Sequence, residues 1–336
     1  MKAHSTLPRP EPPVALWDAF GLRSPTQVGT DLKHVLYRVG RGFQVDLSSV
    51  GHLRPSLAWP AYARQVPSNG LAPIMNFFDR VRGGRFYSQR VTKRRATDYR
   101  GKRLSYDEHD GVDFVCPIGT PLVAAAPGIV TLARDRWLRG GLTLTLDHGG
   151  GVSTQYSHLA RALVPVGTRV GRGEVIALSG AAGLDLTLFF PWVAPHLHFS
   201  VWLDGVPVDP YLRSDEERET AVWSKRNSPL PPSGPDESAP EPEVDMALAR
   251  ALAEKCRDGR IAKELESVMH EPLALVALLE DSLHHDRPAW PGGLSVEGLR
   301  HRGDACIALS LPLDPRHYSG CIPADRGSAW WASPGR

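Results

Sequence analysis

No apolar run in this sequence is long enough to cross a membrane. A membrane-spanning helix needs about 20 consecutive apolar residues, and no stretch approaches that length among the 336 residues. Cysteine is also scarce, and the four residues Cys116, Cys256, Cys306 and Cys321 form no CxxC pair. A disulfide scaffold and a thiol-rich zinc site are therefore excluded. The opening MKAHSTLPRPEPPVALW lacks the apolar core of a secretory signal, so no signal peptide is visible.

Charge of one sign is not in excess either. Lys and Arg together number 39 against 37 Asp and Glu, which gives a net charge of +2. This balance excludes a strongly basic nucleic-acid binder and an acidic solvating tail. The segment 90–103 is rich in Lys and Arg and could contact an anionic polymer, but it has no ordered aromatic interleaving. We interpret it as a solvated face and expect no nucleic-acid partner.

The middle of the chain has the texture of a β domain. Across 109–211, short runs of Val, Ile, Leu and Thr alternate with glycine turns about every ten residues, which predicts an antiparallel sheet. The flanks differ from it, because short helices are expected at 15–22, 31–39 and 72–81 and a small helical unit over 244–283. A proline-rich spacer precedes that unit. The fold class is therefore mainly β, and α+β overall. The predicted segments are a mixed region at 1–88, the β domain at 89–214, the spacer at 215–243 and a helical region at 244–336.

Two histidines share one face of a predicted strand. In PHLHFSVW, His196 and His198 are two residues apart, and such residues project from the same face of a strand. Two adjacent imidazoles can form half of a metal site or an acid–base pair. The alternative is a pair of surface histidines without a function.

A second pair lies in HDGVD. His109 and Asp113 have even spacing on a segment that Gly111 keeps from being helical, so both side chains are expected on one side. The alternative is an ordinary polar loop. Together with His198, this pair supplies two nitrogens and one oxygen, and three protein ligands with an open fourth position are typical of catalytic zinc. His158 and His196 then remain to act on a substrate.

The order of these motifs resembles that of a known family. HDGVDF, GTPLVAAAPGIV, DHGGGVSTQYSHL, VPVGTRVGRGEVIALSG and PHLHFSVWLDGVPVDP follow one another as in the lysostaphin-type (LytM-like) zinc metallopeptidases. The resemblance covers residues 105–212. The family motif HxGxD matches at 109–113, YxHL at 156–159 and HLHF at 196–199.

The resemblance implies a fold, a cofactor and residue roles. The fold is an antiparallel β-sheet or sandwich with a groove over the metal. One Zn²⁺ per chain is expected, with His109, Asp113 and His198 as ligands. His158 and His196 are the expected catalytic histidines, and which of them removes a proton from water stays open. No HExxH sequence is present, so no glutamate is placed as the base in that manner.

The function implied is that of a zinc metalloendopeptidase. It would hydrolyse peptide bonds in the stem or cross-bridge peptides of bacterial peptidoglycan through a zinc-activated water. The alternative is a non-catalytic LytM-like module that binds or regulates other cell-wall hydrolases. A biotinyl- or lipoyl-like carrier is excluded, because 109–211 contains no lysine to carry the group. We further expect an extracytoplasmic location, a monomer, and peptidoglycan peptides as the partner.

Three features stay outside this scheme. The segment 181–195, AAGLDLTLFFPWVAP, replaces a short Gly/Ser-rich turn of the family, and its aromatics either form a groove wall or pack inside. His148 is interpreted as structural or turn-facing rather than as a ligand. A second metal site is considered among the C-terminal histidines and cysteines, but their spacing fits no pattern and scattered placement is expected. Those residues are Cys256, His270, His284, His285, His317 and Cys321.

Overall fold

The computed structural model describes most of the chain. The described residues are 6–9, 13–39, 53–78, 109–137, 140–211, 223, 228–231, 241–301 and 307–324. The basic run at 90–103, Cys306 and most of the proline-rich spacer lie outside them.

Three short helices come first. Helix α1 spans Leu16–Ala19, α2 spans Pro25–Val39 and α3 spans Pro55–Tyr62. The first two lie where helices are expected at 15–22 and 31–39. Proline stands at the start of both α2 and α3, where its missing N–H leaves no helical hydrogen bond unmade.

The helix predicted at 72–81 is wrong. Its first part is strand β1, Leu71–Asn76, in which every residue after the first is buried. An apolar run that is buried on both faces has no period that separates a strand from a helix. Here β1 pairs with a strand on either side, and that pairing determines the conformation. Residues 79–81 lie outside the described part of the chain.

One sheet contains every named strand of the described residues. The strands of its main part are β2 Val112–Val115, β3 Pro121–Val123, β4 Gly128–Arg136, β5 Gly141–Asp147, β6 Val152–Ala162, β7 Arg169–Val170, β8 Val175–Ser179, β9 His196–Leu203 and β10 Val206–Val208. Helix α4, Leu184–Leu188, precedes β9, and β11, Gly320–Pro323, ends the described chain.

The strand order is β11-β1-β2-β9-β6-β5-β4-β7, with β10 beside β9 and β8 between β3 and β6. All pairs from β2 to β10 are antiparallel, as the sequence predicts, whereas β1 and β11 pair in parallel. The sheet is therefore mixed, and the fold is mainly β.

The apolar core and the polar site lie on opposite faces of the same strands. Phe114 of β2, Tyr156 of β6 and Phe199 of β9 are fully buried. The ring centroids of Tyr156 and Phe199 are 5.2 Å apart. Because successive side chains alternate across a strand, the neighbours Asp113 and His198 point to the other face. The core thus fixes the strands from which the polar residues project.

Three helices follow the spacer. Helix α5 spans Met246–Ala253, α6 spans Gly259–Ser267, α7 spans Pro272–His285, and a 3₁₀ turn covers Arg287–Ala289. The helical spacing of the sequence predicts this unit. The Asp245 and Asp258 carboxylates cap α5 and α6 by accepting hydrogen bonds from backbone N–H groups. Among the described residues, no helix is both long enough and apolar enough to span a lipid bilayer.

Buried ion pairs join α7 to the sheet. Arg134 and Arg136 of β4 both bind the Asp281 carboxylate of α7, and the Arg136 Nη2–Asp281 Oδ2 distance is 2.7 Å. Arg300 contacts Glu280 of α7 at 2.6 Å and also the Asp147 carboxylate of β5. These contacts set the position of α7, whose last turn lies beside the polar face of the sheet.

Candidate active site

The register of two strands brings the predicted ligands together. Antiparallel pairing of β2 with β9 places Asp113 opposite His198 and Val115 opposite His196. His198 also lies opposite Ser157 of β6. His109 lies three residues before the start of β2 and is buried. Residues far apart in the chain are thus fixed within one patch by backbone hydrogen bonds.

Three donor atoms meet at one point in this patch. His109 Nε2 lies 3.0 Å from Asp113 Oδ1 and 3.1 Å from His198 Nδ1. The distance from His198 Nδ1 to Asp113 Oδ1 is 2.9 Å. Donor atoms at about 2.0–2.1 Å from a tetrahedral zinc ion lie about 3.3 Å from each other. The three atoms therefore have nearly the spacing of three corners of such a site.

The tautomers of both imidazoles favour a cation at that point. His109 Nδ1 lies 2.8 Å from the carbonyl oxygen of Phe77, which can only accept, so the proton of a neutral His109 is on Nδ1. Its Nε2 lone pair then faces the site. His198 Nε2 lies 3.1 Å from Asp110 Oδ1, so the Nδ1 lone pair of a neutral His198 also faces the site. Two lone pairs and a carboxylate at these distances repel one another unless a cation or proton lies between them.

The carboxylates make the site strongly favourable for positive charge. Burial on its own lowers the pKa of His198, but hydrogen bonds to Asp110 and Asp113 outweigh it and raise the pKa to about 10. Burial on its own raises the pKa of Asp113, but His109, His196 and His198 outweigh it and hold the pKa well below its usual range. Asp113 is therefore ionised at neutral pH. Its other oxygen, Oδ2, accepts a hydrogen bond of 2.7 Å from Asn76 Nδ2.

The two predicted catalytic histidines lie next to the donor atoms. The ring centroids of His158 and His196 are 4.7 Å apart, and His196 Nε2 lies 3.6 Å from Asp113 Oδ1. His158 Nδ1 contacts the carbonyl oxygen of Ala182 at 2.6 Å, and His196 Nδ1 contacts that of Ala194 at 2.8 Å. Each neutral ring is therefore protonated on Nδ1, and its Nε2 is a proton acceptor.

His158 has an unusual backbone. Its φ is +61°, in the left-handed region that non-glycine residues seldom adopt. The pairing of β6 is irregular here, with register shifts next to Leu159 and Leu142. An irregularity in a strand redirects a side chain and is frequent at active sites. Nothing in the YSHL sequence predicts the left-handed residue.

The segment 181–195 both packs and remains exposed. Phe190 packs against Phe20 and Tyr62, with centroid distances of 5.4 and 4.9 Å. Phe190 and Trp192 are nevertheless 50% and 46% exposed.

His148 is fully buried, and its ring nitrogens lie 2.8 Å from the Pro127 carbonyl oxygen and 2.8 Å from Thr154 Oγ1. That environment is structural, as the sequence predicts.

Two residues that the sequence does not assign to this site also reach it. Asp110 Oδ1 lies 3.1 Å from His198 Nε2, and His284 Nε2 lies 2.8 Å from Asp110 Oδ2. With His285, they form a second group with metal-ligand chemistry among the described residues. The separation of 174 positions between Asp110 and His284 leaves no spacing signal. Of the six C-terminal residues considered for a second metal site, two therefore come together with Asp110.

The segment that holds these residues matches a known family. Residues 107–210 match the model of peptidase family M23. This segment is an M23 domain. The match includes His109, Asp113, His158, His196 and His198.

Curated relatives of the M23 domain include peptidoglycan DD-endopeptidases. ShyA of Vibrio cholerae is 33% identical over 147 residues, which are 42% of this chain and 29% of ShyA. ShyB of the same organism is 41% identical over 101 residues, which are 30% of this chain and 22% of ShyB. The chain thus spans less than a third of the length of these relatives.

Solved structures also resemble the M23 domain. The catalytic domain of lysostaphin, an antimicrobial peptidase from Staphylococcus simulans, is 33% identical over 31% of this chain and 77% of its own, with a TM-score of 0.27. A zinc-containing peptidase from Vibrio cholerae is 30% identical over 43% of this chain and 37% of its own, with a TM-score of 0.31.

Proposed function

We propose that this protein is a zinc metalloendopeptidase that hydrolyses peptide bonds in bacterial peptidoglycan. The observation that carries the proposal is the convergence of His109 Nε2, Asp113 Oδ1 and His198 Nδ1 within 3.1 Å of one another. Two further histidines present proton-accepting nitrogens beside these atoms. In a cluster of polar side chains without a function, nothing would offset the repulsion between lone pairs that face one point.

The donor set suits zinc. Two imidazole nitrogens and one carboxylate oxygen match the borderline-soft character of Zn²⁺, and three protein ligands leave a fourth position for water or substrate. When bound, the ion supplies a Lewis acid that polarises the scissile carbonyl and lowers the pKa of a bound water to about 7. Asn76 and the Phe77 carbonyl hold the Asp113 and His109 side chains in orientation.

His158 and His196 then handle the protons. Each has its Nδ1–H fixed on a backbone carbonyl, so Nε2 can accept a proton from the attacking water. Once protonated, the same nitrogen donates a hydrogen bond to the oxyanion of the tetrahedral intermediate or a proton to the leaving amine. The rings lie 4.7 Å apart, so one can act on the water while the other contacts the oxyanion.

The substrate proposal comes from the named relatives. ShyA and ShyB are peptidoglycan DD-endopeptidases. By extension, the bond proposed here is a cross-link between two D-configured residues. Because peptidoglycan lies outside the cytoplasm, the proposal includes an extracytoplasmic site of action.

Digestion of purified sacculi tests the proposal. We expect the zinc-loaded protein to convert cross-linked muropeptides into uncross-linked ones, and mass spectrometry of the new termini identifies the bond. Chelation should stop the reaction, and added Zn²⁺ should restore it. A zinc-loaded protein that binds sacculi but leaves every cross-link intact would instead support a regulatory module.

A further inference from the structure

The ligand His198 is held from behind by a carboxylate. Its Nδ1 faces the metal position, and its Nε2 lies 3.1 Å from Asp110 Oδ1 and 3.0 Å from Ser200 Oγ. A carboxylate beside the second nitrogen fixes both the tautomer and the ring orientation of a metal-binding histidine. Asp110 occupies the variable position of HxGxD, so this contact is a property of the present sequence.

The C-terminal helical unit also contacts the Asp110 carboxylate. Asp110 Oδ2 accepts a hydrogen bond from His284 Nε2 at 2.8 Å, and His284 lies in the last turn of α7. The His284 ring packs edge-on against Trp202 of β9, with a centroid distance of 5.1 Å. His285 Nδ1 lies 3.8 Å from the same Asp110 oxygen, beyond hydrogen-bond distance.

Helix α7 is anchored well enough to hold His284 in place. Asp281, one turn before His285, binds Arg136 Nη2 at 2.7 Å and accepts a hydrogen bond of 3.0 Å from Gln155. Its side chain is 6% exposed, so these ion pairs are shielded from solvent. The chain of contacts runs from the sheet through Asp281 and α7 to His284, then through Asp110 back to His198.

We propose that Asp110 and His284 are positioning residues for the metal ligand His198, so that the C-terminal helical unit completes the metal centre of the M23 domain. This inference rests on the proposed zinc site. It assigns the unit after the spacer a role in the metal centre itself. Neither residue touches the metal position, and both act through His198.

Metal titration of full-length variants tests this proposal. His284→Leu removes the hydrogen bond to Asp110, and we expect the affinity for Zn²⁺ to fall about 10–100-fold. The visible absorption bands of the cobalt-substituted protein should also change, because they report the geometry around the ion. His284→Gln, which restores an N–H donor at similar reach, should recover most of the affinity. His270→Leu, an exposed histidine of the same unit, is the matched control and should bind as wild type does.

A double variant shows whether the two residues act in series. If His284 works through Asp110, then Asp110→Ala combined with His284→Leu should lose no more affinity than Asp110→Ala alone. Fully additive losses would overturn the proposal, as would wild-type affinity and an unchanged cobalt spectrum in His284→Leu. If His284→Leu does not fold without metal, the zinc affinity and cobalt spectrum of Asp110→Asn test the proposal instead. Wild-type values of both would overturn it.

Stoichiometry separates this proposal from its alternatives. A wild-type protein that binds no ion at all contradicts the proposed function itself. Two ions per chain, of which His284→Leu loses one while the other keeps its affinity, would overturn the positioning role and assign Asp110, His284 and His285 to a second cation. One ion per chain with weakened binding in His284→Leu supports the proposal.

Discussion

In the proposed mechanism, the protons are transferred by two histidines that bind backbone carbonyls through Nδ1. Both His158 and His196 place Nδ1 within 2.8 Å of a carbonyl oxygen, which commits Nε2 to the acceptor role. This arrangement fixes tautomer and ring orientation without a carboxylate partner at Nδ1. In the proposed mechanism, Nε2 of each ring then faces the reacting water.

Replacement of His158 by alanine tests that role. His158 is not among the three converging donor atoms, so His158→Ala should keep its zinc. Loss of one acid–base group should lower kcat by about 10²–10⁴-fold. Zinc content by atomic absorption and turnover on cross-linked muropeptides are the two measurements. Turnover at the wild-type rate would remove His158 from the mechanism.

The left-handed backbone of His158 gives a second prediction. At φ +61°, an alanine keeps the steric cost of its Cβ, whereas a glycine does not. His158→Gly should therefore be more stable than His158→Ala by about 1–2 kcal/mol, although both lack the imidazole. Urea unfolding of the two variants measures the difference. Equal stability would show that this residue is not held in the left-handed region.

At the scale of elements, the close approach of β2 to β9 explains why residue 111 is a glycine. A Cβ at this position would lie 2.7 Å from the Phe199 carbonyl oxygen and 2.8 Å from His198 Nε2. The backbone oxygen cannot move without breaking the β2–β9 register that aligns Asp113 with His198. The glycine of HxGxD thus lets the two segments that carry the proposed ligands approach each other.

Gly111→Ala should therefore harm both stability and metal binding. Forcing one methyl group into this space should cost about 1–3 kcal/mol of unfolding free energy and weaken zinc binding. The matched control is Gly259→Ala, at the start of α6, where a Cβ meets no atom within 4 Å. That control should be neutral or stabilising by about 0.4–1 kcal/mol. Wild-type stability and zinc affinity in Gly111→Ala would contradict this reading of the β2–β9 contact.

The sequence could predict the elements that carry the ligands better than those that support them. The even spacing of His196 and His198 predicts a shared face, and the glycine turns predict the antiparallel strands around them. The run at 72–81 looks helical because its pairing partners β2 and β11 are remote in sequence. The contact of His284 with Asp110 depends on how α7 packs, and no local pattern encodes that packing.

At the scale of the whole molecule, buried charges join the helical unit to the sheet. Burial on its own raises the pKa of Asp281, but Arg136, His285 and Arg134 outweigh it and hold the pKa well below its usual range. A carboxyl group of this kind stabilises the fold above its unfolded pKa of about 3.9. The contribution is lost as the pH falls from that value toward the folded pKa.

Asp281→Asn tests this coupling. At pH 7 the variant removes one carboxylate charge from Arg134 and Arg136, which still contact Asp286, and Arg134 also keeps Glu264. We therefore expect a loss of about 1–3 kcal/mol in the free energy of unfolding. Because the wild type loses its own advantage in acid, the gap between the two proteins should narrow below about pH 4. Urea unfolding at several pH values measures the gap. A gap that stays constant with pH would show that the charge of Asp281 is not what joins the two parts.

The metal centre itself is tested most directly by anomalous scattering at the zinc absorption edge, from crystals of the zinc-loaded protein. We expect a peak about 2.0–2.2 Å from His109 Nε2, Asp113 Oδ1 and His198 Nδ1, with the fourth position filled by a non-protein atom. A peak located only beside His284 and His285, or a fourth protein donor closing the site at His109, Asp113 and His198, would contradict it.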